Sequence, residues 1–563
     1  MILGINTGHD SGVTLLHDNQ LVFAENEERI SRIKGFTGFP LQALQLVQSE
    51  FDLRKVKVVA IEGKRILPFR SSTDLGEGTD SIYMEILERL GIYRFTIGNS
   101  RGVRITQDVL WLLQMGKRKE LLQLLDSFGL KKAKKEFFDH HMAHSASATL
   151  VTSSGDSAPG LSISFDASGE GYCSKIFSFD GCSLNEYPEY SVPSFYSPAN
   201  LYMQVTKLLG YKPMRHEGKI TGLAALGNPD ETAKILENYF FFDKNKRKWV
   251  NTLGYRSLLY TRLAKVLEGF NPEDIAAGVQ ALTEKNILRY IEHAVIPIFG
   301  KQHIYLSGGL FANVKLNQRI AESSWCKGIT VAPNMGDGGL SLGVAKLAQK
   351  PTKQTKSNMY LGHEILEDQF SNSKLPLSMR TRKLSNMAFE IAQALSSGQV
   401  VALSVGKMEF GPRALCHRSI LYTAKDKEVN TWLNKRLNRT EFMPFAPVVQ
   451  DIYANRYFKL TDGVDYSTMT ITCEVSPETV EKYPAIVHVD NTARPQVIDD
   501  KNELIYKILD QYAMLTGEHI LVNTSYNMHE EPIVRTIEDS IRAFELSHLD
   551  KLFIPGYEIS FKG

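Results

Sequence analysis

The stretch Asp139-His140-His141-Met142-Ala143-His144 decides how the rest of this sequence is arranged, because it places metal-binding side chains on one turn of a predicted helix. His140 and His144 are four residues apart and would share one face of that helix. Two imidazoles in this arrangement bind one divalent ion when carboxylates from distant segments complete the set. His141 and His144 form the competing pair. The alternative to ligation is a helix start with one buried, hydrogen-bonded imidazole.

Two aspartates at the ends of predicted strands are candidates for the missing carboxylates. Asp166 ends the apolar strand within residues 161–171, and Asp337 lies among glycines after a strand at residues 329–332. α/β folds place ligands outside the carboxyl ends of their strands. A set of two histidines and two aspartates suits iron, manganese or zinc and leaves room for substrate oxygens. For Asp166, a capping or turn role is the alternative.

Composition excludes several classes of protein. The 563 residues are too many for one core and suggest roughly three or four packing units. The 65 basic and 63 acidic residues leave a formal charge of +2, which indicates no nucleic-acid partner. The five cysteines form no C-x-x-C pair, so we expect a reducing, cytoplasmic protein. No leader and no run of 18 apolar residues is visible, so neither export nor a membrane span is expected.

Three further segments of the first half carry polar residues beside glycines. A predicted hairpin presents His9 and Asp10 at its bend, where a plain turn is the alternative. Gly218 and Lys219 precede a glycine-rich helical segment, and the lysine could reach an anionic substrate or simply lie at the surface. The pair Gly308-Gly309 separates a strand from a helix that carries Asn313, an arrangement typical of a nucleotide phosphate or ribose site. We see no internal repeat.

The second half begins after a proline- and lysine-bearing linker at residues 350–358. Two arginines, a lysine and a histidine surround a glycine-proline turn at residues 406–419, and they suit a phosphate because the guanidinium fork matches its oxygens. A solvated basic loop is the alternative. Further candidate anion ligands follow along the chain; the full set is Arg413, Arg418, Arg439, Arg494 and Ser525.

Taken in order, these motifs resemble the O-carbamoyltransferase family that includes the nodulation-factor, aminoglycoside and cephem carbamoylating enzymes. The resemblance runs nearly end to end. Its motifs are His9-Asp10, the stretch 139–144, Asp166, Gly218-Lys219, Ser307-Gly308-Gly309, Asp337, EFGPRAL at 409–415, His417-Arg418-Ser419, PFAP at 444–447, Arg494-Pro495 and NTSYN at 523–527.

The resemblance implies an α/β protein with two domains. Residues 1–349 would form a domain of the actin and sugar-kinase type (ASKHA), similar to the universal tRNA threonylcarbamoylation protein (Kae1-like). Residues 359–563 would form a YrdC-like domain that makes carbamoyl-adenylate from carbamoyl phosphate and ATP with Mg²⁺. The carbamoyl group would then pass to a hydroxyl of a small-molecule acceptor, such as a sugar or a secondary metabolite.

The resemblance also implies roles for the candidate residues. Fe²⁺ or a similar divalent metal would be bound by His140, His144, Asp166 and Asp337. Carbamoyl phosphate would contact Arg413, Arg418, Arg439, Arg494 and Ser525, and the nucleotide would contact Gly218, Lys219, Gly308, Gly309 and Asn313. His9 is our candidate for taking the acceptor's proton, and Lys219 and Arg418 are the other candidate catalytic residues. A loop histidine that only orders Asp10 is the alternative for His9.

The sequence departs from the family pattern at a few positions and leaves other functions open. Leu437 and Met443 stand where many relatives carry a lysine and an arginine, and Cys416 stands where a glycine is common, as a packing substitution. The alternatives are a tRNA threonylcarbamoyl transferase, a hydrogenase-maturation carbamoyltransferase, or a non-catalytic nucleotide-sensing scaffold of the actin-like fold. Symmetry base rates alone favour a homodimer.

Overall fold

The computed structural model describes residues 1–68, 92–153, 158–350, 354–371, 375–439 and 443–562, and it divides into two compact units. Unit 1 contains Met1–Glu27 and Gly35–Asn358, and unit 2 contains Glu28–Lys34 and Met359–Gly563. The change from unit 1 to unit 2 after Asn358 falls at the end of the expected linker. Nothing in the sequence led us to expect residues 28–34 in the second unit.

The described strands of unit 1 belong mainly to two sheets of five and six strands. In chain order they are β1 (Ile2–Asn6), β2 (Gly12–His17), β3 (Gln20–Asn26), β4 (Val58–Glu62), β5 (Lys134–Phe138), β6 (Val151–Thr152), β7 (Gly160–Gly169), β8 (Tyr172–Phe179), β9 (Leu184–Glu186), β10 (Val192–Pro193), β11 (Phe240–Asp243), β12 (Lys248–Asn251), β13 (His303–Ser307), β14 (Ile329–Val331) and β15 (Thr355–Lys356).

The two sheets repeat one topology. The first has the order β3-β2-β1-β4-β5, with β1 antiparallel to β2 and parallel to β4. The second has the order β10-β8-β7-β13-β14, with β7 antiparallel to β8 and parallel to β13. This duplicated order is typical of the actin and sugar-kinase fold, so the predicted class of unit 1 is confirmed. The duplication is one of structure, and the sequence shows no visible internal repeat that corresponds to it.

The described helices are α1 (Glu27–Ser31), α2 (Leu41–Glu50), α3 (Tyr93–Thr96), α4 (Ser100–Leu113), α5 (Met115–Leu125), α6 (His140–Thr149), α7 (Pro198–Leu208), α8 (Glu217–Leu223), α9 (Asp230–Glu237), α10 (Arg256–Val266), α11 (Pro272–Tyr290), α12 (Ile296–Phe299), α13 (Val314–Ala321), α14 (Leu340–Ala348), α15 (Met387–Ser396), α16 (Val429–Arg436), α17 (Asp451–Tyr457), α18 (Pro477–Lys482), α19 (Leu504–Thr516) and α20 (Ile537–Ser547). Across the described ranges, no helix is both long and apolar enough to cross a membrane.

Two helices lie between the sheets of unit 1. Helix α6 packs on β7 and β13, α14 packs on β1 and β4, and the two helices pack against each other. Small residues allow this close approach, because a Cβ atom on Gly343 of α14 would lie 1.9 Å from the carbonyl oxygen of Ala143 on α6. The buried faces therefore hold α6, with its histidines, at a fixed position over the second sheet.

The strands of unit 2 centre on an eight-stranded mixed sheet of order β17-β28-β27-β18-β20-β26-β21-β25. They are β16 (Tyr360–Ile365), β17 (Met379–Lys383), β18 (Val401–Ser404), β19 (Gly406–Glu409), β20 (Arg418–Thr423), β21 (Ala446–Gln450), β22 (Phe458–Lys459), β23 (Cys473–Val475), β24 (Thr492–Ala493), β25 (Gln496–Ile498), β26 (Ile520–Ser525), β27 (Lys551–Ile554) and β28 (Tyr557–Phe561). Apolar side chains of α15 and α19 cover one face of the sheet. Unit 2 is thus an α/β domain, as predicted.

Candidate active site

Four side chains from distant parts of unit 1 converge on one point. His140, His144, Asp166 and Asp337 each offer one ligand atom, and these atoms lie within 4.8 Å of one another. The Nε2 atom of His144 is 3.1 Å from an oxygen of Asp166 and 3.4 Å from one of Asp337. The Nε2 atom of His140 is 3.8 Å from each aspartate. The structure therefore brings together the four residues that the sequence proposed as metal ligands.

Local structure explains why these side chains meet. Asp139 caps α6 by accepting a hydrogen bond from the amide of Met142, which starts the helix at His140. Asp166 follows the last regular pair of β7 with β8 and lies in an irregular stretch between Phe165 and Gly169, where a strand can redirect a side chain. Asp337 begins a short 3-10 turn that leads into α14.

The arrangement fits a single divalent ion. Bonds of about 2.1 Å to one ion would put neighbouring ligand atoms about 3.0 to 3.4 Å apart. The separations between His144 and the two aspartates, 3.1 and 3.4 Å, match this range, and those between His140 and the aspartates are 3.8 Å. The Nε2 atom of His140 is buried and has no hydrogen-bond partner among the described residues, although it faces both aspartates. The imidazoles are buried while the aspartates keep 16% and 24% of their side-chain surface exposed, so one side of the cluster is open to a ligand.

Charge in the cluster favours a cation. Burial lowers the pKa of His140, but the nearby carboxylates of Asp166 and Glu62 outweigh burial and raise this pKa well above its ordinary value. Burial raises the pKa of Asp166, but its contacts with His140 and His144 outweigh burial and hold this pKa well below the usual range. The carboxylates thus attract positive charge to this point, whether as imidazolium or as metal ion.

His141 has a different environment from its neighbours on α6. Its Nδ1 atom is 2.9 Å from the Ser164 hydroxyl and its Nε2 atom is 3.0 Å from the carbonyl oxygen of Tyr172. Burial, and next the charge of His140, lower its pKa to about 3, so the ring is neutral. His141 is thus the buried, hydrogen-bonded imidazole of the alternative interpretation, while His140 and His144 face the carboxylates.

The first loop lies beside the cluster. Asn6 donates hydrogen bonds to the carbonyl oxygens of His9 and Asp337, both at 2.9 Å, which ties the loop to the turn that bears Asp337. The Nδ1 atom of His9 is 2.9 Å from a carboxylate oxygen of Asp10. Burial lowers the pKa of His9, but Asp10, and next the charges of Asp337 and Asp166, raise it to about 9. A role as general base requires these charges to be offset.

The residues predicted to bind a nucleotide do not all have the same kind of contact. The amide of Gly309 donates to an oxygen of Asp166 at 3.3 Å, which places this glycine at the cluster. Gly308 packs on the backbone of β7, where a Cβ atom would lie 2.1 Å from the Phe165 oxygen. The side chain of Asn313 caps α13 and pairs with Gln280.

Gly218 and Lys219 lie within helix α8, where the sequence suggested a loop ahead of a helix. The Lys219 side chain is buried, and its Nζ atom is 6.0 Å from the centre of the Tyr211 ring. These positions do not show whether Gly218 and Lys219 contact a nucleotide, so that contact stays a prediction.

Unit 2 contains two neighbouring arginines that lack an acidic partner among the described residues. Burial lowers the pKa of Arg413 to about 10, and burial together with the charge of Arg413 lowers the pKa of Arg494 well below its ordinary value. The Nε atom of Arg413 is buried without a hydrogen-bond partner in the same described ranges. Both side chains remain partly accessible. Two adjacent guanidinium groups of this kind form a site for an anion with two charges.

The other predicted anion ligands of unit 2 are engaged within the protein. Arg418 is fully buried and donates to the backbone carbonyl oxygens of His363, Val405 and Gly406. These surroundings favour a structural role, and its binding of carbamoyl phosphate stays a prediction. Arg439 donates to the hydroxyl of Ser525, with which the sequence grouped it, at 3.2 Å.

Cys416 and Leu437 are two of the three positions at which the sequence departs from the expected family pattern. Cys416 has a φ of 73°, a left-handed backbone conformation that favours glycine, which is the residue common at this position in relatives. Burial raises the pKa of its thiol well above the ordinary value, so the thiol is neutral. Leu437 is fully buried.

Sequence reasoning missed Glu62, which lies at the end of β4. One of its oxygens is 3.0 Å from the Nδ1 atom of His140, and its side chain is 3% exposed. Burial raises the pKa of Glu62, and the hydrogen bond to His140 lowers it in part. The signal was present in the sequence, because Glu62-Gly63 repeats the pattern of an acid at a strand end before a glycine.

Fold and site together define the class of this protein. It is a two-domain α/β protein whose first unit is actin-like and contains a cluster of two histidines and two aspartates. Family profiles agree with it. The profile of the carbamoyltransferase N-terminus matches residues 1–346, and that of the carbamoyltransferase C-terminus matches residues 392–560. The chain belongs to the carbamoyltransferase family and is an enzyme of that class.

Individual relatives match over most of the chain. An uncharacterized protein of Methanocaldococcus jannaschii is 28% identical over 578 residues, which cover 100% of this chain and 99% of the relative. Nodulation protein NolNO of Sinorhizobium fredii is 26% identical over 570 residues, which cover 98% of this chain and 79% of the relative. A solved ROK family glucokinase from Streptomyces griseus, in complex with glucose and AMPPNP, aligns at 11% identity with a TM-score of 0.26 over 62% of this chain and 99% of the glucokinase. The fold assignment rests on the strand order.

Proposed function

We propose that the chain is an ATP-dependent O-carbamoyltransferase that works in two steps. Unit 2, as a YrdC-like domain, forms carbamoyl-adenylate from carbamoyl phosphate and ATP with Mg²⁺. Unit 1 transfers the carbamoyl group from the adenylate to a hydroxyl of a small-molecule acceptor. The family membership supports carbamoyl transfer, and the neighbouring arginines of unit 2 carry the assignment of the first step.

The pair Arg413 and Arg494 suits carbamoyl phosphate. This substrate carries two negative charges on a phosphate group, and a guanidinium binds such oxygens with two parallel hydrogen bonds. Burial and the nearby charge of Arg413 lower the pKa of Arg494, and a bound dianion would relieve the repulsion between the two guanidinium groups. Arg439 donates a hydrogen bond to Ser525 of the NTSYN segment, and the two side chains would contact the same ligand.

Adenylation then converts a poor acyl donor into a good one. Water attacks the carbonyl carbon of carbamoyl phosphate, the carbon–oxygen bond to phosphate breaks, and carbamate, inorganic phosphate and a proton are released. An oxygen of carbamate attacks the α-phosphate of ATP, and pyrophosphate leaves with the electrons of the broken bond. The product is carbamoyl-adenylate, whose leaving group is AMP.

The transfer step would use the cluster of unit 1. We propose that His140, His144, Asp166 and Asp337 hold Fe²⁺ or a similar divalent ion. Such an ion, when bound, polarises a carbonyl or phosphate oxygen and offsets the charge of the carboxylates.

The remaining unit 1 residues would bind the nucleotide and handle the proton of the acceptor. With the carboxylate charge offset, His9 can lose its proton and accept the one that the acceptor hydroxyl releases. Gly309 and Lys219 are our preferred contacts for the nucleotide, with Gly218 next to them. Gly308 and Asn313 would support this site without contacting the nucleotide directly. Gly308 packs on the backbone of β7, and the side chain of Asn313 is hydrogen-bonded to Gln280.

The first step has a direct assay. The full-length protein, given carbamoyl phosphate, ATP and Mg²⁺, is expected to release pyrophosphate and to form carbamoyl-AMP that mass spectrometry detects. The Arg494→Ala variant should lose about 100-fold or more of this rate, since two charge-assisted hydrogen bonds at about 1.5 to 3 kcal/mol each are lost. The measurement is the rate of pyrophosphate release at several carbamoyl phosphate concentrations.

A matched control separates this effect from a general loss of charge. Arg456 pairs with Glu478 in an exposed ion pair of unit 2, and the Arg456→Ala variant should keep the wild-type rate. ATP binding without pyrophosphate release would favour a nucleotide-sensing scaffold. Release that does not depend on carbamoyl phosphate would contradict the proposal.

A further inference from the structure

His140 contacts a third carboxylate on the side of its ring that faces away from the two aspartates. The Nδ1 atom is 3.0 Å from an oxygen of Glu62, while the Nε2 atom faces Asp166 and Asp337. Both Glu62 and His140 are buried. An imidazole that donates from Nδ1 keeps its lone pair on Nε2, so the position of Glu62 selects the tautomer that can bind a metal through Nε2.

The ring of His140 is also held in place by the backbone of β7. A Cβ atom on Gly169 would lie 2.0 Å from the Cδ2 atom of His140. The imidazole ring therefore occupies the space that a side chain at position 169 would need. The hydrogen bond to Glu62 fixes the rotation of the ring, and the contact with Gly169 fixes its position. The two contacts come from different sheets of unit 1, since β4 belongs to the first and β7 to the second.

Among the described residues, neither His141 nor His144 has a carboxylate at its Nδ1 atom. The Nδ1 atom of His144 is buried without a hydrogen-bond partner among the described residues. His141 contacts a hydroxyl and a backbone carbonyl, which carry no charge. The arrangement at His140 is therefore specific to that residue and does not follow from a general excess of acid around the helix.

We propose that Glu62 is a positioning residue of the metal centre, which holds His140 as the Nδ1–H tautomer and makes the ring a more basic ligand. The inference rests on the proposed metal-binding function of the cluster and adds to it a residue outside the ligand set. Carboxylate–histidine–metal arrangements of this kind change metal affinity about 10- to 100-fold when the carboxylate is removed.

Metal binding without any substrate tests the role of Glu62. Full-length protein freed of metal by a chelator is titrated with Co²⁺, whose absorption bands report the ligand field, and the dissociation constant is measured by competition. Glu62→Ala is expected to weaken Co²⁺ binding about 10- to 100-fold and to change the absorption bands. Glu62→Gln, which keeps the shape and a hydrogen-bond acceptor but loses the charge, should lie between Glu62→Ala and wild type.

Glu136 provides a control on the neighbouring strand. Its carboxylate pairs with Lys134 at 2.8 Å, and Glu136→Gln should leave both the affinity and the spectrum unchanged. If Glu62→Ala does not fold, the isosteric Glu62→Gln decides the question. A dissociation constant and spectrum of the Glu62 variants that match wild type would overturn the role of Glu62 while leaving the metal centre intact. Failure of the wild type to bind Co²⁺ would overturn the metal centre together with the inference.

Discussion

Neighbouring histidines on α6 have different protonation and different partners. His141 is buried among uncharged acceptors, and its pKa is lowered to about 3. His140 and His144 face carboxylates that raise their pKa values against the effect of burial. At the residue scale, the surroundings therefore decide which imidazole is a ligand, since all three lie within five positions of one helix.

Replacement of single histidines should separate ligands from core residues. We expect His144→Ala to lose bound metal, because the Nε2 atom nearest both aspartates is removed. His141→Ala should retain one ion per chain, although the loss of two buried hydrogen bonds lowers its stability by about 1 to 3 kcal/mol. Elemental analysis after purification, together with the thermal midpoint, measures both effects. Equal metal loss in the two variants would contradict the assignment.

The sequence predicted that these four residues would come together but could not predict which residues support them. A spacing of four residues and strand-end aspartates are local patterns, and His140, His144, Asp166 and Asp337 followed from them. Glu62 shows the same local pattern, but only the parallel pairing of β4 with β5 brings it to His140. Arg418 shows the converse case, because its motif suggested a ligand while burial directs its guanidinium to carbonyl oxygens.

The close packing of α6 and α14 gives the site its rigidity at the scale of elements. One helix carries the two histidines, and the other begins directly after the turn that bears Asp337. The strands expected within residues 161–171 and at residues 329–332 correspond to β7 and β14 within a few residues, because the patterns that predict them are local. The duplicated strand order could not be predicted, since it depends on pairings such as His303 with Gly160 that are far apart in the chain.

Substitution of Gly343 should loosen this packing. A Cβ atom there would lie 1.9 Å from a backbone oxygen of α6, so Gly343→Ala must separate the helices. We expect its free energy of unfolding to fall by about 1 to 3 kcal/mol, with weaker metal binding as the ligands move apart. Gly116→Ala is the control, because nothing lies within 4 Å of its Cβ position. Chemical denaturation of both variants measures the difference, and equal stabilities would contradict the packing argument.

At the scale of the whole molecule, the two units are not simply the first and second halves of the chain. Residues Glu28–Lys34 leave unit 1 and belong to unit 2, where Arg29 donates to the carbonyl oxygen of Gly411 at 2.8 Å. Gly411 lies two residues before Arg413, one of the proposed ligands of carbamoyl phosphate. An early segment of the sequence therefore supports the loop of unit 2 that carries Arg413. The linker at residues 350–358 was visible in the composition, whereas this segment was not, because its charges also suit a solvated helix.

Arg32 attaches this segment to the chain near residue 532. It donates to the carbonyl oxygens of Pro532 at 2.7 Å and Ile533 at 2.8 Å, and its φ of 60° is unfavourable unless such contacts hold it. We expect Arg32→Ala to destabilise unit 2 by about 1.5 to 3 kcal/mol, because hydrogen bonds from a charged donor are lost and the carbonyl oxygens stay partly buried. Hydrogen exchange resolved by peptide mass spectrometry should show faster exchange near residues 526–541 and no change in unit 1.

Two comparisons make this expectation specific. Arg54 is an exposed arginine of unit 1 that pairs with Asp52, and Arg54→Ala should leave the stability of the protein nearly unchanged. A fragment of residues 359–563 lacks the whole segment and should exchange faster than unit 2 of the intact chain at the same positions. Equal protection in the fragment and the intact chain would mean that residues 28–34 rest on unit 2 without stabilising it, and unit 2 would then be an independent folding unit.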